Sequence, residues 1–427
     1  MQEKKEKRVL IISYNPLCLF NNGGKSLLSL FSSFSKEELI QFYIYPTLPD
    51  NEWCNSFYRQ TDKDLLNPIR NKKILHCVIP SKTEPIEEQS IYKTSSQNRS
   101  IKLLCRDALW AFSNWDNKQL NNWIKENRPD IVFSDTGDSS FLYNVSLKIS
   151  KKYNLPLVGY FGDDYCSIVE KKNLIRRYQL FKLRKTIAKF VQHAKLLLFV
   201  NDSFSDYYKD RFALGGKVRT IYNGSNFSFD SDYDETDSSN LVFSYIGNLS
   251  LQRGDNLIEI GKALQNYNDI NNTSHSLIVY ARNRDNFEER TRSIKAIDYR
   301  GLIPGNQVKD AIMSSDILIH TESFSEDSKK MTKYSMSTKI ADSLSSGKCL
   351  LAFGPKDVAS IKHLLKYDCA FCICSNLEMG EKLKQLIEDK KLRLYYKTRG
   401  KQISEEFHNS KKNSLLLKSY FSELLHQ

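Results

Sequence analysis

Short apolar runs rich in β-branched residues alternate along the chain with stretches whose apolar residues recur every three or four positions. The runs are bounded by Gly, Pro, Asn or Asp, which is typical of strands, and the other stretches have helical periodicity. Alternation of this kind predicts a doubly wound α/β fold with a parallel sheet and active loops after the strand C-termini. In the first half, strands are predicted at 8–14, 41–45, 73–79, 131–134, 156–161, 196–200 and 218–221, and helices at 26–34, 102–125 and 204–212.

The alternation breaks after Tyr222-Asn223-Gly224, where residues 226–240 are polar and carry five acids, the composition of a linker. A second series of strands is predicted at 241–246, 276–280, 297–300, 317–320, 348–353 and 369–374. We therefore expect an N-terminal Rossmann-like domain (1–225), a linker (226–240), a C-terminal Rossmann-like domain (241–405) and a final helix (406–427) that can pack back on the N-terminal domain. Two such domains would face a cleft, where ligand sites are common.

Length and composition agree with this organisation. The chain has 427 residues, of which 40% are hydrophobic and 26% charged, as in globular proteins of two domains. No apolar run is long enough for a transmembrane helix, and the N-terminus does not read as a signal peptide. Nine scattered cysteines fit a reduced chain, so a cytoplasmic location is expected.

The net charge of +13 is unevenly distributed. Residues 171–195 include nine Lys or Arg and no acid, with apolar residues at helical spacing. One interpretation is a solvated helix with a buried apolar stripe. Another is peripheral binding to an anionic surface, such as the inner face of the cytoplasmic membrane. Nucleic acid is not expected as a partner, because no groove-reading motif or aromatic stacking pattern accompanies the charge.

The most informative segment runs from Tyr334 to Pro355. Ser337, Thr338 and Lys339 begin a predicted amphipathic helix, and Asp342 lies about one turn further on. The first turn of a helix offers unpaired N–H groups and the positive end of the helix dipole. Together with hydroxyl and ammonium groups, this forms a site for a phosphate or diphosphate. A carboxylate one turn away could bind sugar hydroxyls, so the segment predicts a nucleotide-sugar site.

A second cation follows the first strand of the C-terminal domain. Arg253-Gly254 comes after the predicted strand 242–246 and a turn at Gly247, near the start of the next helix. An arginine there could neutralise the charge that develops on a departing diphosphate, a form of electrostatic stabilisation. The alternative is an exposed arginine at a helix start.

Four motifs occur in order in the C-terminal domain: G-x-L-x-x-x-R-G from Gly247, R-G-x-I-P from Arg300, S-S-D-I-L-I from Ser314, and S-T-K-I-A-D-x-L-x-S-G-K from Ser337. This order resembles the retaining GT-B glycosyltransferases of the family-four type, which use nucleotide sugars to build bacterial surface polysaccharides such as capsule and lipopolysaccharide. The resemblance covers about 110 residues of the C-terminal domain and only the layout of the N-terminal one. It implies sugar transfer to a saccharide or lipid-linked saccharide with retained configuration, and neither a metal nor another cofactor.

Donor-binding residues follow from the resemblance by position. Arg253 matches the family's phosphate-binding basic residue. Asn248 stands in place of its basic companion, and Lys339 is the candidate that supplies the missing cation. Asp342 matches the second acid of the family's paired-glutamate motif, which holds ribose hydroxyls. Tyr334 occupies the place of the first acid, for which Glu322 and Glu326 are candidate replacements. The backbone near Arg300, Gly301 and Leu302 would face the nucleotide base.

The N-terminal domain begins with a strand, a glycine pair (Gly23 and Gly24) and a helix. Gly24-Lys25-Ser26 approaches a Walker P-loop, but Leu19 stands where the first glycine of that motif is required. The resemblance implies instead a glycine-rich loop that lets the backbone approach the donor diphosphate and the acceptor. A nucleoside triphosphatase and a plain turn with a helix cap are the alternatives.

Acid-bearing loops follow two predicted strands of this domain. Asp135 and Asp138 follow the strand 131–134, and Asp163 and Asp164 follow the strand 156–161. Asp163 or Asp164 could orient or deprotonate an acceptor hydroxyl. Relatives often have a histidine in one of these loops, which this chain lacks. The alternatives are helix caps, or a metal site that no nearby His or Cys supports.

Two other functions remain open at this point. A nucleotide-sugar epimerase of the same fold would need no second substrate. A non-catalytic binding subunit is suggested by the missing first acid at Tyr334 and the missing loop histidine.

Overall fold

The computed structural model describes residues 7–18, 22–49, 53–66, 74–76, 96–225, 227, 229 and 240–426. Most of the predicted linker and of the predicted strand 73–79 lies outside these residues. The chain divides into two compact units, the first within Met1–Ile221 and Lys411–Gln427 and the second within Tyr222–Ser410.

The first unit has eight described strands in the order β4-β3-β2-β1-β5-β6-β7-β8, and all pairs are parallel except β3 with β4. The strand order changes direction between β1 and β5, which makes the carboxyl ends of these two strands the expected ligand-binding edge. The strands are β1 (Val9–Ser13), β2 (Leu39–Tyr43), β3 (Ser56–Arg59), β4 (Ile74–His76), β5 (Ile131–Asp135), β6 (Leu157–Phe161), β7 (Leu196–Phe199) and β8 (Val218–Thr220).

The helices described in this part of the unit are α1 (Asn22–Leu30), α2 (Asp62–Leu66), α3 (Ser96–Phe112), α4 (Lys118–Asn127), α5 (Ser140–Tyr153), α6 (Leu174–His193) and α7 (Asp202–Phe212). The single helix predicted at 102–125 is therefore two helices. The side chain of Asn117 accepts hydrogen bonds from the N–H groups of Gln119 and Leu120 and so begins α4 as its N-cap. Burial of Trp115 between the two helices also fixes the break.

The second unit has six described strands in the order β11-β10-β9-β12-β13-β14, all parallel. This is the Rossmann order, with its change of direction between β9 and β12. The strands are β9 (Val242–Gly247), β10 (Ser276–Ala281), β11 (Ile297–Tyr299), β12 (Ile317–Thr321), β13 (Cys349–Phe353) and β14 (Phe371–Ile373). Its helices are α8 (Arg253–Asn271), α9 (Phe287–Thr291), α10 (Val308–Met313), α11 (Glu326–Thr332), α12 (Thr338–Ser345), α13 (Ala359–Lys366), α14 (Met379–Glu388) and α15 (Lys390–Phe407).

The central strands of both sheets are almost continuously apolar, because helices cover both faces of a parallel sheet. Every residue of β1, β12 and β13 is buried. In the second unit Phe243, Leu277 and Leu351 share one core with Leu257 of α8 and Leu386 of α14. Burying a side chain of this size stabilises a fold by roughly 1.5–3 kcal/mol, so this core holds the strand ends that carry the site.

The last helix, α16 (Ser410–His426), packs on the first unit. The ring of Phe421 contacts those of Phe34 and Phe133, with centroids 5.9 and 6.2 Å apart. The ammonium group of Lys418 lies 2.7 Å from a carboxylate oxygen of Glu38. Within the described residues, none of the helices combines the length and the apolar character needed to cross a membrane.

Candidate functional site

The carboxyl ends of β9 and β12 lie side by side in the second unit. The two strands pair in parallel, with Phe243 opposite Ile317 and Ser244 opposite Leu318. Asn248 follows the end of β9, and Glu322 follows the end of β12. In doubly wound sheets, ligands bind at this edge, where the strand order changes direction.

Arg253, the first residue of α8, points its guanidinium group at the end of β12. Its Nη2 donates to both carboxylate oxygens of Glu322, at 3.0 and 2.9 Å. Its Nε donates to the carbonyl of Thr321 at 3.2 Å, and its Nη1 to Oδ1 of Asn248 at 3.2 Å. Four acceptors thus hold the cation in one orientation, so this arginine is not the loosely exposed helix-start residue of the alternative interpretation.

The backbone and neighbouring side chains fix Glu322 in turn. Its N–H donates to the carbonyl of Phe353 at 3.0 Å, and its own carbonyl accepts from Nδ2 of Asn256 at 2.8 Å. A Cβ at Gly354 would lie 2.8 Å from the carbonyl oxygen of Glu322, so only glycine fits there. The side chain of Glu322 is 3% exposed, and the site is therefore rigid before any ligand binds.

Lys339 adds a second, partly buried cation. Burial lowers the pKa of Lys339, the charge of Arg253 lowers it further, and Asp342 and Glu322 oppose the shift. Burial raises the pKa of Glu322, and its pairing with Arg253 and the charge of Lys339 oppose that shift. Glu322 pairs directly with Arg253, and Asp342 acts on Lys339 through its charge, so both cations are held close to the helix start, where an anionic ligand would meet them.

His320 lies in the same cluster but does not add to its charge. Its Nε2 lies 3.1 Å from the hydroxyl of Ser360 and 3.8 Å from Oε1 of Glu322. Burial and the charges of Arg253 and Lys339 lower the pKa of His320 to about 3. The imidazole is therefore neutral at physiological pH.

The helix α12 begins at Thr338, with Ser337 as its N-cap residue in an extended conformation. Ser337 makes no capping hydrogen bond with its own side chain. Ile340, Ala341 and Leu344 are buried and anchor the helix. Lys339 thus stands in the first turn, beside backbone N–H groups that have no partner within the helix.

Asp342 has a structural contact that its sequence pattern did not indicate. Its Oδ1 accepts a hydrogen bond from the hydroxyl of Ser225 at 3.0 Å, and the hydroxyl of Ser345 lies 2.8 Å from that of Ser225. The N–H of Ser225 donates to the carbonyl of His408 at 2.8 Å. The acid expected to hold ribose hydroxyls is therefore also tied to the first residues of the second unit.

Within the described residues, the structure shows no hydrogen bond or ion pair between the remaining predicted donor residues and Arg253. Gly301 has a positive φ of 70° in the turn after β11, and Leu302 beside it is exposed. Glu326, the second candidate for the missing acid, pairs with Lys329 on the exposed surface of α11. Of the two candidate acids, it is Glu322 that the structure places against Arg253. The ammonium group of Lys333 lies 5.3 Å from the ring centroid of Tyr334.

The first unit has acids at its own ligand-binding edge. Asp135 is the last residue of β5 and is paired in register with Ser13 of β1. Burial, and then the charge of Asp163, raise the pKa of Asp135 to about 7. A carboxyl group that titrates near neutrality is suited to general acid or base catalysis. The sequence predicted all four aspartates as candidates and favoured Asp163 or Asp164 as the base. The burial that sets Asp135 apart depends on its place at the end of β5 and is not visible in the sequence.

Asp138 and Asp164 have contacts that hold their own loops. Asp138 pairs with Arg99 at 2.7 Å. Oδ1 and Oδ2 of Asp164 accept hydrogen bonds from the N–H groups of Cys166 and Ser167, at 2.8 and 2.9 Å. Asp164 therefore closes the loop after β6, which agrees with the capping alternative for this residue.

The glycine pair lies in the first turn of α1 rather than in an open loop. A Cβ at Gly24 would lie 2.4 Å from Sγ of Cys18 and 2.8 Å from the carbonyl oxygens of Cys18 and Pro16. Gly24 is thus required for close packing of the helix start on the chain that follows β1. In the described part of the chain, no group of three or more His, Cys, Asp or Glu residues is arranged to hold a metal ion.

No protein-family model matches the sequence, and no curated protein matches it significantly. Solved structures do match. HepE of Anabaena, solved with UDP, has a TM-score of 0.62 at 13% identity, over 97% of this chain and 100% of that one. Sucrose-phosphate synthase of Thermosynechococcus elongatus has a TM-score of 0.64 at 9% identity, over 98% and 99%.

WaaG, described as a glycosyltransferase involved in lipopolysaccharide biosynthesis, has a TM-score of 0.54 at 12% identity, over 95% of this chain and 98% of that one. Identities this low show the fold and not the activity. The predicted fold class is confirmed: the chain has two Rossmann-like α/β domains and the fold of the GT-B glycosyltransferases.

Proposed function

We propose that the chain transfers a sugar from a nucleoside diphosphate sugar to a saccharide acceptor, free or lipid-linked, with retention of anomeric configuration. The observation that carries the proposal is the cation pair of Arg253 and Lys339 at the β9/β12 edge. Glu322 orients one of these cations, and the start of α12 presents the other. A helix start with two cations matches the charge and size of a diphosphate.

The chemistry of sugar transfer explains why such a site is useful. The bond between C1 of the sugar and the diphosphate oxygen breaks, and a bond forms between C1 and the acceptor oxygen on the face that the diphosphate leaves, so the configuration at C1 is retained. Negative charge therefore grows on the departing diphosphate, where Arg253, Lys339 and the N–H groups of α12 would stabilise it. Removing one donor aimed at a developing charge typically costs about 3–4 kcal/mol of the barrier.

The proton of the acceptor hydroxyl also needs a destination. Asp135 is our candidate, because its pKa of about 7 lets it exist as a carboxylate and still accept a proton. Asp163, whose charge contributes to that shift, is assigned an electrostatic role. Asp138 and Asp164 are assigned to loop structure by their contacts.

The structural neighbours suggest the first ligands to try. HepE was solved with UDP, with UDP and glucose, and with UDP-glucose. UDP and UDP-sugars are therefore the first donor candidates for this chain. WaaG supports an acceptor from surface polysaccharide biosynthesis, as does the order of motifs in the C-terminal domain.

Calorimetric titration of UDP tests the diphosphate site. We expect Arg253→Gln and Lys339→Gln each to weaken UDP binding by about tenfold or more, because each removes a charged hydrogen-bond donor. Lys262→Gln is the matched control, since Lys262 lies on the exposed side of α8 and pairs with Glu259. Unchanged affinity in both site variants would contradict the assignment.

Turnover separates transfer from its alternatives. Incubation of UDP-sugars with a saccharide extract should give a glycosylated product whose anomeric configuration, read by NMR, matches that of the donor. Conversion of the donor sugar without any acceptor would indicate an epimerase. Tight UDP binding with no turnover under either condition would indicate a binding subunit.

A further inference from the structure

The helix α6 has two apolar faces, of which the described residues of the chain cover only one. Leu180, Leu183, Ile187 and Phe190 form the face buried against the first unit. Leu174, Tyr178 and Phe181 are 72, 60 and 60% exposed. They are spaced at i, i+4 and i+7, so they form one stripe on the side of the helix opposite the buried face. We call these three residues the α6 stripe.

Exposed cations surround the α6 stripe. Arg177 and Lys185 lie on the same side of the helix by their spacing, and Lys171 and Lys172 precede its first turn. No Asp or Glu occurs from 171 to 195. Two further arginines of this helix are occupied by the protein itself: Arg176 donates to Gln179, and Arg184 donates to the carbonyl of Ile168.

A second exposed apolar stripe lies on the neighbouring helix. The helices α3 and α6 pack together, and Lys182 pairs with Asp107 between them at 3.1 Å. On α3, Ile101, Cys105, Ala108 and Phe112 are exposed and recur at i, i+4, i+7 and i+11. Phe112 is 91% exposed. Within the described residues, apolar side chains thus remain exposed on both of these neighbouring helices.

We propose that the α6 stripe and its flanking cations dock the chain on an anionic lipid surface. Leu174, Tyr178 and Phe181 enter the boundary between headgroups and acyl chains, and Arg177 and Lys185 contact the anionic headgroups. Apolar and basic residues on one exposed helix face are the signature of interfacial binding. Tyrosine suits this position, because its ring is apolar and its hydroxyl is polar.

The exposed apolar residues of the α6 stripe favour a lipid bilayer over a nucleic acid as the binding partner. An aromatic ring such as that of Phe181 could stack on a base, but the aliphatic Leu174, 72% exposed, neither stacks on a base nor donates to a phosphate, whereas a bilayer interface accommodates both side chains. The proposal goes beyond sugar transfer and does not depend on it. Lipid binding can be measured without any donor, so the two proposals fail separately.

Co-sedimentation of the full chain with vesicles at about 0.15 M salt tests the proposal. The vesicles contain phosphatidylcholine, with or without phosphatidylglycerol. We expect binding only when phosphatidylglycerol is present. Arg177→Gln with Lys185→Gln should weaken it by about tenfold or more, because each basic residue near an anionic membrane strengthens binding about fivefold. Leu174→Gln with Phe181→Gln should weaken it by a similar factor without changing the net charge.

Two controls keep the test decisive. Ile270→Gln with Leu377→Gln removes two exposed apolar residues of the second unit and should leave binding unchanged. Far-UV circular dichroism verifies that each variant is folded, which the exposure of the substituted residues favours. The proposal is overturned if the wild-type chain does not sediment with anionic vesicles, or if Leu174→Gln with Phe181→Gln binds them as the wild type does. It is also overturned if the Arg177→Gln, Lys185→Gln variant and the Leu174→Gln, Phe181→Gln variant both bind vesicles as the wild type does but lose binding to a DNA oligonucleotide.

Discussion

One nitrogen of Arg253 donates to both carboxylate oxygens of Glu322, at 3.0 and 2.9 Å, and the carboxylate is buried. Such a pair is stable as a unit but leaves a buried charge when either partner is removed. The loss of one partner of a buried ion pair typically costs about 3–5 kcal/mol. This pair therefore has a structural role in addition to the proposed role in diphosphate binding.

We expect Arg253→Met to lower the free energy of unfolding of the second unit by about 3 kcal/mol, and Arg253→Met with Glu322→Gln to lower it less. Urea unfolding followed by far-UV circular dichroism measures both changes. All four tryptophans lie in the first unit, so tryptophan fluorescence reports that unit separately and should not change. Arg290→Gln, which breaks an exposed pair with Asp255, should cost less than about 1 kcal/mol.

Asp135 should make both activity and stability depend on pH. If it accepts the acceptor proton, kcat/KM should rise with pH through about 7, because only the carboxylate can act as a base. A pH–rate profile without an inflection near 7 would contradict this role. Asp135→Asn should lower kcat far more than Asp210→Asn, which changes an exposed aspartate of α7.

The same shift has a definite sign for stability. The folded pKa of Asp135 is raised, so the folded state holds a proton that the unfolded state has lost between about pH 4 and 7. Stability from this group therefore falls as pH rises through that range. We expect Asp135→Asn to stabilise the first unit by up to about 4 kcal/mol near pH 8 and to have little effect near pH 4. Tryptophan fluorescence in urea measures both values.

His408 should contribute to acid unfolding. Burial lowers its pKa to about 4, although its Nδ1 lies 2.8 Å from the carbonyl oxygen of Asn223 and favours the protonated form. Between about pH 6.5 and 4 the unfolded state takes up a proton that the folded state does not, so stability falls as pH falls. His408→Gln should remove up to about 3 kcal/mol of this dependence, whereas His426→Gln, at an exposed position, should not. If the stability of the two variants depended on pH in the same way, the pKa of His408 would not be lowered as described.

Gly24 should matter for folding rather than for a P-loop. A Cβ there meets two backbone carbonyls at 2.8 Å, which cannot move as a side-chain end can. We expect Gly24→Ala to destabilise the first unit by about 1–3 kcal/mol. Gly380→Ala is the control, since a Cβ at this position in α14 meets nothing within 4 Å and should be neutral or stabilising. If Gly24→Ala weakened nucleotide binding at unchanged stability, the packing explanation would be wrong.

The strands and helix starts of the second unit were predictable because their signals are local. The apolar run from Cys349 to Phe353 and the hydroxyl-rich start of α12 need no knowledge of the rest of the chain. Local signals failed in the first unit where an element was very short: β3 (Ser56–Arg59) has only four residues, too few to show a strand pattern, and was not predicted. The break at Asn117 was also missed, because a helical period continues across it.

The contacts of the candidate site could not be predicted in the same way. Arg253 and Glu322 are 69 residues apart in the chain, and only the parallel pairing of β9 with β12 brings them together. Sequence spacing offered Glu322 and Glu326 equally. Glu322 is buried and Glu326 is exposed. The burial of Glu322 depends on the strand that precedes it and on the close approach of Gly354.

The hydrogen bond between Ser225 and Asp342 has a mechanical consequence. Ser225 is in the first few residues of the second unit, and Asp342 belongs to the helix that begins beside Lys339. A shift of this helix relative to residues 222–225 must break or stretch this hydrogen bond, at a cost of about 1 kcal/mol. The same serine would therefore couple the position of the start of the second unit to that of the helix turn that carries Lys339.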